Sequence, residues 1–405
     1  MDDLLYLVHR IPYPPNKGDK IRAWHIFDFL RQHYRVHLGC FVDEPTDFQH
    51  VAPLRAQCAS SHFEPLRPMA ARLSSLRGLW SGEALSLPYY RSSRMAKWVE
   101  ETLSRHPISS ALAFSTPMAQ YLPAKLHRVL DMVDVDSQKW RAYSDTQAWP
   151  LSAFYRREAG SLLRYERAMA QRFDHVTLVS PAEMALFRRL APESHDKVSS
   201  FSNGTDAEYF SPQDALPNPF PPGQIAIVFT GAMDYWPNID AVLWFSHEVL
   251  PPLLRAFPKL QFHIVGARPD KRVLALQQSP AVQVSGTVPD IRPYLQHAHV
   301  AVAPLRIARG IQNKVLEAMA MQKAAVVTPQ ALEGISARPG QDLLLARNAA
   351  EFTRHIGQLL NSPELARTVG ISARARILSD YRWQENLRHI LRLLQPYSDA
   401  AEIAP

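Results

Sequence analysis

VAVAPLRIARGIQNKVLEAMA, residues 300–320, runs from an unbroken apolar stretch through a cationic loop into a helical pattern. Val300–Pro304 carries no charge, which suits a strand covered on both faces. A helix is expected to start near Gln312 or Asn313. The first turn of a helix leaves N–H groups unpaired, and such a turn attracts anions. Arg306, Arg309 and Lys314 add positive charge there, and Gly310 frees the backbone. Glu317 lies three residues after Lys314, on nearly the same helix face. A carboxylate at that place can accept two hydrogen bonds from the vicinal hydroxyls of a ribose. The competing reading is a plain surface ion pair, Lys314–Glu317, on an amphipathic helix.

The same unit of strand then helix recurs outward in both directions. Strands are expected near Leu4–Val8, Arg35–Val42, Ala111–Phe114, Arg128–Asp134 and His175–Ser180, and then near Ile225–Thr230, Leu260–Val265, Val282–Ser285, Val300–Pro304 and Ala324–Thr328. Helical patterns separate many of them. Repeated units of this kind make parallel sheets with right-handed crossovers. Two sets predict an α/β chain of two Rossmann-like, doubly wound domains. In such sheets ligands bind beyond the carboxyl ends of the strands, so two facing domains would form a cleft. Gly231, Gly266 and Gly286 each end an expected strand in the second half. Residues 211–223, SPQDALPNPFPPG, hold five prolines and read as a stiff linker. Trp383–Leu394 reads as a terminal helix.

Composition narrows the class. A chain of 405 residues with 46% hydrophobic and 20% charged residues is globular and large enough for two or three domains. Its 33 prolines against 15 glycines exclude a flexible or fibrous protein. Two cysteines, Cys40 and Cys58, exclude a disulfide scaffold and a cysteine-rich zinc site, and favour a reducing, cytoplasmic setting. The start, Met1-Asp2-Asp3, lacks the basic and apolar features of a signal peptide, and no apolar run is long enough to span a bilayer. The net charge is +7. No basic run or nucleic-acid motif appears, so nucleic acid is not an expected partner. Residues 64–100 mix Trp80, Leu85, Leu87, Tyr89, Tyr90 and Trp98 with Arg67, Arg72, Arg77, Arg91, Arg94 and Lys97. That mixture suits either a solvated face or peripheral contact with an anionic membrane.

The first half offers its own candidates. RIPYPPNKGDKIR, residues 10–22, follows the first expected strand and carries Lys17, Gly18, Lys20 and Arg22, with Asp19 placed to cap a helix. Asp131, Asp134 and Asp136 cluster at the end of another strand. If the strand persists, Asp134 and Asp136 share one side and one of them can orient or deprotonate a hydroxyl. His9 and His25 are further base candidates. A metal site on this acidic cluster is the weaker reading.

These residues resemble the signature of GT-B-fold glycosyltransferases of family 4. Gly310, Leu316, Glu317, Ala318, Met319 and Ala320 match its G-x-x-x-x-x-L-E-A-M-A helix start. Asn203-Gly204-x-Asp206 with Phe210 resembles its N-G-V-D-x-x-x-F segment, with Thr205 in place of valine. Gly231 and Gly266 match its strand-end glycines, and Tyr381-x-Trp383 resembles the start of its last helix. The strings at 12–22, 131–140, 229–238 and 306–321 resemble the sugar transferases of exosortase/PEP-CTERM exopolysaccharide systems. Two departures stand out. Arg309 occupies the place of a family glutamate, and Ala232–Asn238 holds no cation where the family has an Arg and a Lys.

The resemblance implies a GT-B fold. An acceptor domain would span residues 1–202, joined by helix 383–405, and a nucleotide-sugar domain would span 203–382. It implies transfer of a sugar from a nucleotide diphosphate sugar to an acceptor hydroxyl, with retention, in exopolysaccharide or lipid-linked glycan synthesis. It implies no metal or other cofactor. Gly18, Lys20, Gly231, Gly266, Arg306, Gly310, Ile311 and Glu317 would bind the donor. Arg309, Lys314, Asp134 and Asp136 would act in the chemistry. The alternatives are a GT-B sugar-nucleotide epimerase and a non-catalytic nucleotide-binding scaffold.

Overall fold

The apolar runs become the centres of two parallel sheets in a computed structural model that describes residues 1–395 except 16, 76, 77, 79, 80 and 309. One unit comprises Met1–Ser202 with the chain from Gln384 onward, and the other comprises Asn203–Trp383.

The first unit holds β1 (Asp2–Val8), β2 (Tyr34–Val42), β3 (Ser60–Pro65), β4 (Ser110–Phe114), β5 (His127–Val133), β6 (His175–Leu178) and β7 (Val198–Ser200), in the order β3-β2-β1-β4-β5-β6-β7. Leu4–Val8 of β1 are fully buried, because β1 is central and helices cover both faces. Tyr6 of β1 lies opposite Leu38 of β2 and Leu112 of β4. The second unit holds β8 (Ile225–Thr230), β9 (Leu260–Val265), β10 (Val282–Gly286), β11 (Val300–Ala303), β12 (Ala325–Val327) and β13 (Leu344–Leu345), in the order β10-β9-β8-β11-β12-β13. All these pairings are parallel. In each sheet the strand order reverses once, between β1 and β4 and between β8 and β11. The loops leaving those strands diverge there and open a crevice at the carboxyl edge.

The helices that matter for the site are α1 (Gly18–Leu30), α2 (Asp136–Thr146), α3 (Leu151–Arg172), α4 (Trp236–Trp244), α5 (Asn313–Ala320) and α6 (Trp383–Leu394). Helix α6 buries Leu387, Ile390 and Leu394 in the first unit, where His389 meets Ser199 Oγ at 2.8 Å. Among the described residues no helix is long and apolar enough to cross a membrane.

Two expectations change. The proline-rich stretch 211–223 is no linker: it lies inside the second unit and is docked there. Gln213 exchanges two hydrogen bonds with Gln296, both 2.8 Å, and Phe220 is buried against His263 and Tyr294. Prolines lack a free N–H and hold an extended shape, which lets the segment lie along a surface without a sheet partner. Strand β5 ends at Val133, so Asp134 and Asp136 do not alternate along one strand. Val133 takes φ +69°, a left-handed conformation rare for a β-branched residue, and Asp136 then opens α2.

Candidate functional site

In the second unit the loops after β8, β9 and β11 meet. Gly231 follows β8, and its N–H donates to Val265 O at 3.0 Å. A Cβ on Gly266 would lie 1.7 Å from the Gly231 carbonyl oxygen, so only glycine fits there. A Cβ on Gly231 would lie 3.0 Å from Lys314 Nζ and 2.8 Å from Asn238 Nδ2. The Lys314 ammonium therefore sits directly beside the bare Gly231 backbone. It donates to Asn238 Oδ1 and lies 4.4 Å from the centroid of the Phe229 ring. Asn238 Nδ2 in turn donates to Ala232 O at 2.8 Å, which fixes the amide on α4.

Lys314 and Glu317 both project from α5, whose start has no side-chain cap. Gly310 precedes it at φ +65°, and Ile311 is buried as an apolar wall. Burial pushes Lys314 down to about 7, although Glu317 opposes this. Burial pushes Glu317 up to about 7, although Lys314 opposes this. The two are not a solvated surface pair. Desolvation disfavours the charged form of each.

The other cations expected here are placed differently. Arg306 is locked on Asp240 by two hydrogen bonds, one of 2.9 Å, because that nearly buried carboxylate needs a counter-charge. Its charge is answered before any ligand binds. Arg309 lies outside the described residues. Reading the sequence missed Arg268, two residues beyond Gly266, which pairs with Asp234 at 2.6 Å and holds φ +52°. It also missed Asn238. The signal for Arg268 was its position two residues after a strand-end glycine; Asn238 lies seven residues after Gly231, in the first turn of α4.

In the first unit the crevice edge is charged throughout. His9 Nε2 lies 3.3 Å from Asp19 Oδ2, and Arg10 bridges Asp19 and Asp43. The His9 hydrogen bond and charge, with Arg10, hold Asp19 far below the usual carboxylate range despite its burial. His25 is half-buried on α1. Gly18 opens α1, and Lys20 is buried against Asp47, so it is not a free phosphate ligand. Arg22 clamps Asp131 at 2.8 and 3.2 Å and lies over the Phe201 ring, which makes Asp131 a structural anion.

Asp134 is different. Its Oδ1 is buried without a hydrogen-bond partner among the described residues, and desolvation raises its pKa to about 7, with Asp136 and Glu183 adding to the rise. Glu183 accepts the Val135 N–H at 2.8 Å, and Glu166 accepts Ser137 N–H and Oγ–H at 3.1 and 2.6 Å. Asp136 stands 3.8 Å from Lys139. Among the described residues no group of three His, Cys, Asp or Glu side chains is arranged to hold a metal ion.

Among the described residues, several of the apolar side chains of the stretch 64–100 pack inward, although Met69 is exposed. Leu87 is buried, Tyr90 and Trp98 pack on the core, and Arg91 pairs with Glu83. Arg77 and Trp80 lie outside the described residues.

The architecture is that of the GT-B glycosyltransferases: two Rossmann-like units, each with its crevice at a sheet reversal. Sucrose-phosphate synthase from Thermosynechococcus elongatus superposes with a TM-score of 0.73 at 16% identity, covering 97% of this chain and 98% of that one. Anabaena HepE in complex with UDP and glucose gives 0.68 at 14% identity, covering 97% and 99%. WaaG, a glycosyltransferase involved in lipopolysaccharide biosynthesis, gives 0.67 at 14%, also covering 97% and 99%. Residues 224–362 match the family described as glycosyl transferases group 1. No curated protein matches the chain in sequence.

Proposed function

We propose that the chain is a glycosyltransferase that moves a sugar from a nucleotide diphosphate sugar to an acceptor hydroxyl, with retention. The observation that carries this reading is the Lys314 ammonium beside the bare backbone of Gly231, on the uncapped helix that also presents Glu317. A diphosphate placed there meets an ammonium, bare backbone and helix N–H groups. Its charge draws a proton onto Lys314, and Glu317 accepts from the ribose hydroxyls. As the glycosidic bond to the diphosphate breaks, negative charge grows on the leaving oxygens. The preset donors offset that charge without rearranging. In the first unit the unpartnered Asp134 receives the proton of the acceptor hydroxyl, with Asp136 beside it.

The family match over the second unit and the UDP and UDP-glucose held by HepE support a uridine diphosphate sugar as the first donor to try. The acceptor is a glycan or lipid-linked glycan of exopolysaccharide assembly, met at the inner face of the cytoplasmic membrane. No resident cofactor or metal enters this reading. Thermal shift across UDP-, GDP-, ADP- and TDP-sugars tests the donor, followed by transfer of the labelled sugar to membrane-extracted lipid. Epimerised donor formed without acceptor would replace the transferase reading with an epimerase. Tight nucleotide binding without turnover on the lipid extract would replace it with a scaffold.

A further inference from the structure

The most exposed tryptophan described lies at the far end of the helix that starts at Asp136. Helices α2 and α3 pack as a hairpin in the first unit, and their connection carries Trp149 at 82% exposure and Leu151 at 50%. Residues 146–155, TQAWPLSAFY, contain no charge. Behind the tip, Trp140, Tyr143, Phe154 and Tyr155 form one aromatic cluster with ring centroids 5.5–6.2 Å apart. Arg141 on α2 and Arg156 on α3 flank the tip. Both are exposed, and neither has an ion-pair partner among the described residues.

An 82% exposed tryptophan in water is costly without an apolar partner, and a protein core offers it none here. Its ring is amphipathic and belongs at the boundary of a bilayer. An uncharged tip backed by unpaired arginines is complementary to anionic headgroups over acyl chains. We propose that the α2–α3 hairpin tip, Trp149 and Leu151 with Arg141 and Arg156, is the surface by which the first unit docks on an anionic lipid bilayer. This places the membrane contact away from residues 64–100, where Leu87, Tyr90 and Trp98 are used in packing.

The hairpin also sets a depth. Helix α2 begins at Asp136 and is 11 residues long, so the acidic crevice edge stands about 16 Å from the tip. A headgroup-linked acceptor emerging from that bilayer would reach Asp134 without leaving the membrane. That last point rests on the transferase reading; the docking does not.

Co-sedimentation of the full chain with vesicles tests it, without nucleotide sugar or acceptor, so the outcome is independent of sugar transfer. Vesicles of phosphatidylcholine alone are compared with mixed phosphatidylcholine and phosphatidylglycerol at low salt. The wild type should pellet with the mixed vesicles. Trp149→Ala with Leu151→Ala should lower that partitioning at least about tenfold. Arg141→Gln with Arg156→Gln should lower it about fivefold per lost cation on mixed vesicles and leave phosphatidylcholine unchanged. All four side chains are exposed, so matched melting curves show that the fold is kept. Wild-type protein left in the supernatant with mixed vesicles, or a Trp149/Leu151 variant that binds like wild type, overturns the proposal.

Discussion

At the scale of single residues, Lys314 and Asp134 are half-buried groups whose pKa values desolvation shifts toward 7 from opposite sides. Free Lys314 titrates at about 7, and a bound diphosphate must raise that value. Binding therefore takes up a proton above pH 7, and affinity weakens as pH rises. Calorimetry from pH 6.5 to 8.5 should show UDP taking up more protons than uridine, a difference that Lys314→Met abolishes while lowering UDP affinity about tenfold to hundredfold. Uridine affinity should be unchanged by Lys314→Met, because it carries the ribose met by Glu317 and no diphosphate. Asp134→Asn should lower kcat about 100-fold or more while the UDP dissociation constant stays unchanged. Equal loss in kcat and in nucleotide affinity would place Asp134 outside the chemistry.

The glycines differ just as sharply. Gly266 has no room for a methyl group, since the intruding atom is the Gly231 backbone carbonyl. Gly286 has φ +68° and open space around it. Gly266→Ala should cost about 3 kcal/mol or more and remove nucleotide binding. Gly286→Ala should cost only about 1 kcal/mol, a loss of a few degrees in Tm. Much of this was legible in the sequence. Lys314, Glu317 and the strand-end glycines could be placed because motif and local structure coincide. The capture of Arg306 by Asp240 could not, because the partner lies 66 residues away. Nor could the left-handed Val133, since nothing local favours that conformation in valine.

At the scale of elements, legibility follows position in the sheet. Strands such as β1, β8 and β11 are apolar throughout, because both faces are covered. The edge strands β3, SSHFEP, and β7, VSS, carry polar residues and gave no such signal, and β13 is only two residues long. Edge strands meet solvent and need no continuous apolar run. Helix α2 depends on a group outside itself. Glu166 of α3 is fully buried and accepts from the Ser137 backbone and hydroxyl, and burial raises it to about 8. A carboxyl whose folded pKa is raised stabilises the fold below its ordinary range, and that contribution is lost as pH rises through about 8. The Tm should fall between about pH 4.5 and 8, and Glu166→Gln should flatten that fall. An unchanged profile in the variant would assign the loss to another group.

At the scale of the whole molecule, the first unit is completed by the last helix of the chain. Leu387, Ile390 and Leu394 are buried there, each contributing about 1.5–3 kcal/mol by burial. Ending the chain at Trp383 should make the first unit sensitive to protease while the second keeps its nucleotide affinity. The second unit is thus an insertion within the first, and its own two ends meet. Thr205 N–H donates to Tyr381 O at 2.7 Å, and Gly204 lies so close to Trp383 that a Cβ would stand 2.6 Å from its ring. A segment whose ends touch can be exchanged between chains as a cassette with two neighbouring splice points. Residues 203–383 are therefore a natural unit of recombination, which could be replaced without redesign of the first unit's core.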